Sequence, residues 1–260
     1  MSYIEQGIKV VSLNAEGDKH LDKIPGFLRA INPDVVMLQE SFHRDWHDLA
    51  RAFGMRFVFS PMRYYPRSWS DPVVNNELGL WGLTTMSKLG FSNVQSFHYV
   101  EDRLPFTPIH QSLGTGVADR LRRSLLVTEV NKNGELFRLA HNHFTWTPDA
   151  ENGTEPSSFQ KQDLQILLRF LRQFPDIILC GDFNTPRGKE IFSTLSQVYK
   201  DNIPPRVKTT IDGKLHKSGR QIQLVIDGFF TTPGYRVDDV RVIDGVSDHC
   251  AIIATVIKNK

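Results

Sequence analysis

Apolar residues in this chain fall into short, dense runs of strand length separated by polar turns. The runs cover 8–13, 34–39, 56–59, 78–86, 94–100, 124–130, 136–142, 176–180, 221–230, 236–242 and 250–257. Many are rich in Val, Ile and Leu throughout, the pattern of strands buried in the middle of a packed layer. Helical periodicity appears between some of them. Leu164, Leu167, Leu168, Leu171 and Phe174 form one apolar stripe, and Ser157 with Gln160 has capping-box spacing at its start. A weaker stripe, Leu21, Ile24, Leu28 and Ile31, contains Pro25-Gly26, which must kink that helix or move its start. Three polar stretches, 61–77, 101–121 and 145–156, are predicted as long connections of the kind that often carries function.

One internal similarity sharpens this pattern. The segment Pro33-Asp34-Val35-Val36-Met37-Leu38-Gln39-Glu40 aligns without gaps on Pro175-Asp176-Ile177-Ile178-Leu179-Cys180-Gly181-Asp182. Each follows a helical stripe, which itself follows a strand. Alternation sends neighbouring side chains to opposite faces, so matched register predicts matched direction for Glu40 and Asp182. Packed as layers, the two units would bring these acids together at one end of the molecule. The competing reading is two unrelated strands, each ending in a surface acid.

Composition narrows the class without naming a function. The chain has 260 residues, 40% hydrophobic and 23% charged, which excludes disordered, collagen-like and coiled-coil proteins. No linker or composition shift divides it, so residues 1–260 are read as a single domain. No apolar stretch approaches the ~20 residues of a membrane span. The start, Met1 to Gln6, has neither a basic nor an apolar signal region. Two cysteines, Cys180 and Cys250, lie in apolar runs and are too few for a disulfide scaffold, which predicts buried thiols and a cytoplasmic protein. A net charge of +2 does not announce a nucleic-acid binder. Local clusters do occur, at Arg120, Arg122 and Arg123 and at Lys208, Lys214, His216, Lys217 and Arg220.

The candidate chemistry sits at strand ends. Asp182 and Asn184 stand in Gly181-Asp182-Phe183-Asn184, where the chain leaves a very apolar strand. Asp248 and His249 precede the last strand, and Asp227 interrupts the run from Leu224 to Phe230. A lone charge in a buried strand is costly unless paired, so Asp227 needs a partner, and a histidine is the obvious one. His141 and His143 end another strand, and Asn14 ends the first. Clustered carboxylates repel, and an oxygen-rich site of this kind suits a hard cation, Mg²⁺ or Mn²⁺. Neither zinc-ligand cysteine spacing nor a glycine-rich nucleotide loop is present.

These residues carry a resemblance. Leu38-Gln39-Glu40, Gly181-Asp182-Phe183-Asn184, Ile226-Asp227 and Ser247-Asp248-His249 occur in the order seen in the endonuclease/exonuclease/phosphatase superfamily. The resemblance runs from Asn14 to His249. It implies a four-layer α/β sandwich, with two packed, mostly antiparallel mixed sheets flanked by helices. It implies in-line attack of water on a phosphoester, with Glu40 as primary metal ligand and Asn14 and Asp248 close to the ion. Asp182 would orient or deprotonate the water, and Asn184 would hold the nucleophile or a phosphate oxygen. His249, its tautomer fixed by Asp227, would bond the phosphate, and His143 would donate to a phosphoryl oxygen from the opposite side. Abasic endonucleases typically carry tyrosine at the place of His143. The segment His141-Asn142-His143-Phe144 is closer to the sphingomyelinase, phosphatase and tyrosyl-phosphodiesterase branches.

Substrate choice is left to the connections. Arg63, Tyr64, Arg67 and Trp69 mix cations with aromatics, a combination that can stack bases and grip phosphates, and it would equally suit a lipid headgroup or a protein interface. Arg123 and Trp146 are added as substrate candidates, Trp146 because it follows His143 by three residues. The expectation is a metal-dependent phosphodiesterase acting on nucleic acid. The alternatives are a phosphatase of inositol-type or nucleotide phosphates, a lipid-headgroup phosphodiesterase, and a catalytically silent binding module on the same fold.

Overall fold

The computed structural model describes residues 7–67, 78–100, 123–147, 156–218 and 222–259. In chain order the elements are β1 (Ile8–Asn14), α1 (Ile24–Ile31), β2 (Val35–Phe42), α2 (His43–Ala52), β3 (Arg56–Pro66), β4 (Leu78–Ser87), β5 (Phe91–Val100) and β6 (Arg123–Lys132). There follow β7 (Glu135–His143), α3 (Ser158–Leu171), β8 (Ile178–Asp182), α4 (Glu190–Val198), β9 (Lys200–Asp201), β10 (Asp227–Thr231), β11 (Tyr235–Ile243) and β12 (Ala251–Lys258).

The strands form two six-stranded sheets, ordered β11-β12-β1-β2-β4-β3 and β5-β6-β7-β8-β10-β9. Each has one parallel pair, β1 with β2 and β7 with β8, while the remaining neighbours are antiparallel. α1 and α3 make the crossovers that a parallel pair requires. The two orders match position for position, and β2 and β8 occupy the same place in each. The similarity between 33–40 and 175–182 is therefore the trace of a repeated unit, whose first copy takes its outer hairpin, β11 and β12, from the far end of the chain.

Alternation builds the layers. Val11, Leu13, Val36 and Leu38 pack under α1 and α2 against Ile24, Leu28, Trp46 and Ala50. Ile8, Val10, Val35 and Met37 point the other way, into a core shared with Phe137, Leu139, Ile178 and Phe229 of the second sheet. On the far side of that sheet, Phe192 of α4 meets Phe230 and Phe183. The result is a four-layer α/β sandwich. α1 begins with Pro25 in its first turn, so the proline moves the helix start rather than kinking it, and Asn32 closes the helix in a left-handed conformation. α3 has the reciprocal capping box, with Ser157 and Gln160 each bonding the other's backbone at 3.2 Å.

Two expectations about connections are corrected. Residues 61–66 belong to β3 and pair with β4, so the first polar stretch is a strand for part of its length. The run 221–230 is strand only from Asp227, because the carbonyls of Leu224, Val225 and Ile226 bond Thr210, Arg187 and Phe183 outside any ladder. The stretch 101–121 lies outside the described residues, as does most of 145–156. α2, α4 and β9 have no counterpart in the sequence reading.

β7 and β8 approach closely at Gly181. Its φ is +137°, and an added Cβ would stand 2.1 Å from the carbonyl oxygen of Asn142. Gly181→Ala is expected to cost about 3 kcal/mol or more in urea denaturation. A loss below about 1 kcal/mol would contradict this packing.

Candidate active site

Three strand ends meet where the two sheets touch. Asn14 closes β1, and its Nδ2 donates to Oε1 of Glu40 and to Oδ2 of Asp182, 3.1 Å in each case. The carboxylates thus come together across the seam, but by different routes. Asp182 lies on the inward side of β8, in register with His143 of β7 and Asp227 of β10. On β2 the inward residue is Gln39, whose Nε2 lies 3.2 Å from Nδ1 of the buried His141. Glu40 comes next and should point outward with Val36 and Leu38. It reaches the seam because its φ is +52°, at a bulge against β4 between Leu38 and Ser41. The expectation that shared register alone aims both acids is therefore corrected. A left-handed glutamate stores strain on the order of 1–3 kcal/mol, the sort of outlier that collects at functional sites.

The histidines divide into distinct roles. His249 places Nδ1 2.9 Å from Oδ2 of Asp227 and Nε2 3.8 Å from Oδ2 of Asp182. Burial works against its charged form, but the carboxylates of Asp227, Asp182 and Asp248 outweigh that and hold it well above the usual imidazole range. His143 places Nε2 3.5 Å from both Glu40 and Asp182. Burial, then the charges of Arg123, His249 and Arg63, keep it neutral. His141 stands between Gln39 and Thr85, neutral, its pKa pushed down by burial to about 3. It ties the sheets together.

The carboxylates carry the opposite stress. Burial first, then the charges of Asp248 and Asp182, push Glu40 up to about 7. Asp182 is raised by burial and by Asp227 against the pull of His249, and Asp248 is raised chiefly by burial. Asp182 Oδ1 accepts the backbone N–H of Asn184 at 2.8 Å, while the Asn184 side chain donates to the carbonyl of Phe144 at 2.9 Å. Gln160, at the cap of α3, donates to the Asn184 carbonyl at 3.3 Å and so steadies that loop.

A cavity of about 130 Å³ opens over these groups. It is lined by Glu40, Asp182, Asn184, Asp248 and His249 together with Ile211, Leu224, Ile226, His216 and Trp146. Sequence reasoning named His216 only within a basic cluster and missed Thr210, Ile211 and Asp212, although Ile211 and His216 both line the pocket. Thr210 Oγ1 accepts the N–H groups of Ile226 and Asp227, and its carbonyl accepts the N–H of Cys250. The N–H of Asp212 donates to the carbonyl of Asp248, and its carboxylate accepts N–H groups from Lys214, Leu215 and Gly245. A polar Thr-x-Asp between two strands gave no periodicity to find it by.

The proposed substrate residues are dispersed. Trp146 is on the pocket wall, 39% exposed. Arg63 is buried on β3, its guanidinium over the rings of Trp81 and Tyr65, and Trp81 meets His143 edge-on. Arg123 is buried and donates to the His143 carbonyl at 3.3 Å. Arg67 bonds Asp45 of α2 and covers Phe42, and Tyr64 is exposed on β3. None of these four lines the cavity. Trp69 lies outside the described residues.

Several groups could hold a cation. Glu40, His143 and Asp182 offer ligand atoms within 4.8 Å of one another; so do Asp182, Asp227 and His249, and so do Glu16, His20 and Asp248. Glu16 and His20 were not foreseen. Repelling, partly protonated carboxylates in an oxygen-rich cluster fit a divalent ion, which replaces their protons when it binds.

Fold and site together define a phosphoesterase-like centre on an α/β sandwich. The model of the endonuclease/exonuclease/phosphatase family matches residues 11–249, and the chain belongs to that family, whose members are divalent-metal-dependent phosphoesterases. A solved endonuclease/exonuclease/phosphatase from Bacteroides vulgatus superposes with a TM-score of 0.68 at 17% identity, covering 97% of this chain and 99% of that one. The human Nocturnin catalytic domain with bound sulfate gives 0.68 at 16% identity, covering 98% and 94%. D. rerio TDP2 complexed with single-strand DNA product gives 0.66 at 17%, covering 98% and 99%. At such identities these structures share the fold alone. No curated protein matched.

In the metal-free protein, the raised pKa of Glu40 favours folding below 4.5, and that contribution is lost as pH rises through about 7. Above that pH a cation has no proton to displace. The rise in Tm on adding Mn²⁺ is therefore expected to be larger at pH 8 than at pH 5.5 and to vanish in Glu40→Gln, by scanning fluorimetry. An increment independent of pH, or one that survives the substitution, would contradict this electrostatic assignment.

Proposed function

We propose that the protein is a divalent-metal-dependent phosphodiesterase acting on nucleic acid. The observation that carries this reading is the lining of the cavity. Acids and His249 share the lining with Ile211, Leu224, Ile226 and Trp146, an apolar, partly aromatic set. Among the described residues no lysine or arginine lines the cavity. A polyphosphorylated inositol would need cations there, whereas a nucleobase or other flat apolar group needs such a surface. The TDP2 structure bound to a DNA product gives the same reading some support by analogy of fold.

The chain's own residues divide the work. Glu40, Asn14 and Asp248 would hold Mg²⁺ or Mn²⁺, which when bound withdraws charge from phosphorus and steadies the leaving oxygen. Asp182, oriented by Asn14 and the Asn184 backbone, aligns the attacking water and accepts its proton. His249, charged and backed by Asp227, bonds the phosphoryl oxygens as negative charge grows on them. Neutral His143 donates Nε2–H beside them. The side-chain Oδ1 of Asn184, a residue of the pocket lining, would orient the nucleophile. We place the protein in the cytoplasm, a reading supported by the free, buried thiols of Cys180 and Cys250. Among the described residues no helix is long and apolar enough to cross a membrane.

The test is cleavage of end-labelled single- and double-stranded oligonucleotides with Mg²⁺ or Mn²⁺. Cleavage is expected to stop with EDTA and to fall by a factor on the order of 10³ in Asp182→Ala. No cleavage under any of these conditions would overturn the nucleic-acid reading. Cleavage that persists in Asp182→Ala would overturn the site.

A further inference from the structure

His143 and His249 both approach Asp182, yet their rings are held by different means. His249 has a partner on its outer nitrogen, with Nδ1 2.9 Å from Oδ2 of Asp227. Active-site histidines are commonly oriented by such a bond, made by the nitrogen that does not face the reaction. His143 lacks one: among the described residues its buried Nδ1 meets no hydrogen-bonding group. Its Nε2 stands 3.5 Å from Oε1 of Glu40 and from Oδ2 of Asp182, beyond the roughly 2.7–3.2 Å of a good N–H···O bond. The main chain is fixed by pairing with Asp182 and by Arg123 on the His143 carbonyl, but neither sets the side-chain torsions.

The imidazole packs instead against Trp81 of β4, with ring centroids 5.5 Å apart and planes inclined at 60°. The indole is itself confined. It is buried, Tyr65 stacks on it with centroids 5.7 Å apart, and the Arg63 guanidinium lies 5.2 Å from its centroid. In the sheet it stands in register between Phe42 of β2 and Arg63 of β3, and it shares an apolar cluster with Phe42, Met62 and Leu126. A ring enclosed on this scale cannot turn away, and its contact restricts the neighbouring ring in turn. Among the described residues that line the cavity Trp81 is absent, so any effect it has on the reaction passes through His143.

We infer that Trp81 is a positioning residue for His143: packing against the indole, in place of a hydrogen bond on Nδ1, aims Nε2–H at the phosphoryl oxygens. The inference rests on the phosphodiesterase reading. A donor of this kind has to be held within about 0.5 Å of its productive place, and a misplacement near 1 Å costs roughly 10²-fold in rate. Asp227 meets that requirement for His249, and Trp81 meets it for His143. Removing the indole frees the imidazole to rotate about its side-chain bonds while leaving the donor and the acids in place. Turnover then falls and substrate binding does not, because the lost interaction is one made in the transition state.

Cleavage of a single-stranded oligonucleotide with Mn²⁺, read as kcat and KM, tests this. Trp81→Leu is expected to lower kcat at least about tenfold with KM within about twofold, and Trp81→Phe, which keeps an aromatic ring, to recover most of that loss. In a His143→Ala background the same Trp81→Leu should change kcat by less than about twofold, because no ring is left to aim. Losses that multiply in the double variant, an equal loss in Trp81→Phe, or no loss in Trp81→Leu would overturn the proposal and leave the phosphodiesterase reading in place. A wild-type protein inert on the oligonucleotide would overturn that reading, and this proposal with it. The rise in Tm on adding Mn²⁺ should be the same in Trp81→Leu as in the wild type; its loss would mean that the indole supports the acids rather than His143, and would also overturn the proposal. Trp81→Met serves as the non-aromatic variant if Trp81→Leu does not fold.

Discussion

Glu40 and Asp182 are brought together across the seam between the sheets by a single amide, Nδ2 of Asn14, at 3.1 Å from each. Burial, first of all, pushes both toward their protonated forms; the charges of Asp248 and Asp182 add to it at Glu40, and that of Asp227 adds to it at Asp182. The surroundings answer that stress. Charged His249 stands 3.8 Å from Asp182 with Asp227 behind it, and neutral His143 lies between the two acids. The same stress makes the site a natural place for a divalent cation.

The repeated architecture explains why the acids can meet. Each sheet contributes a parallel pair crossed over by a helix, and the equivalent strands β2 and β8 end at the same rim. Their symmetry is broken where chemistry requires it. Asp182 follows ordinary alternation, whereas Glu40 depends on a bulge and a left-handed backbone. The segment 209–216 adds what neither repeat supplies. Ile211 bridges to His249, and Thr210 and Asp212 bond the backbones that carry Asp227 and Asp248. Wall and catalytic floor are thereby one hydrogen-bonded unit.

Much of this was legible in the chain. Strands buried on both faces read as unbroken apolar runs, and the capping box at Ser157 marked α3. The ordered acid and histidine motifs pointed to one site because their residue types make sense only together. What escaped did so for physical reasons. α2 spends its length on polar residues and is held by Trp46 and Ala50 beneath and the Arg67–Asp45 pair at its side. The polar tail of β3 looked like a loop because ladder pairing with β4, not apolar periodicity, keeps it extended. Arg63 and Arg123 looked like exposed clamps, yet both are buried around His143, where their charges add to burial in keeping it neutral, and neither lines the cavity. The aim of Glu40 could not be read from alternation, because a bulge cancels alternation.

The central claim is that the Asn14–Glu40–Asp182 seam is a divalent-cation site. Anomalous diffraction from crystals grown with Mn²⁺ tests it most directly. The account predicts a peak in contact with the Glu40 carboxylate, within the cavity bounded by Asp182 and Asp248, and its loss in crystals of Glu40→Gln. No peak at the seam, or one that remains after the substitution, would contradict it.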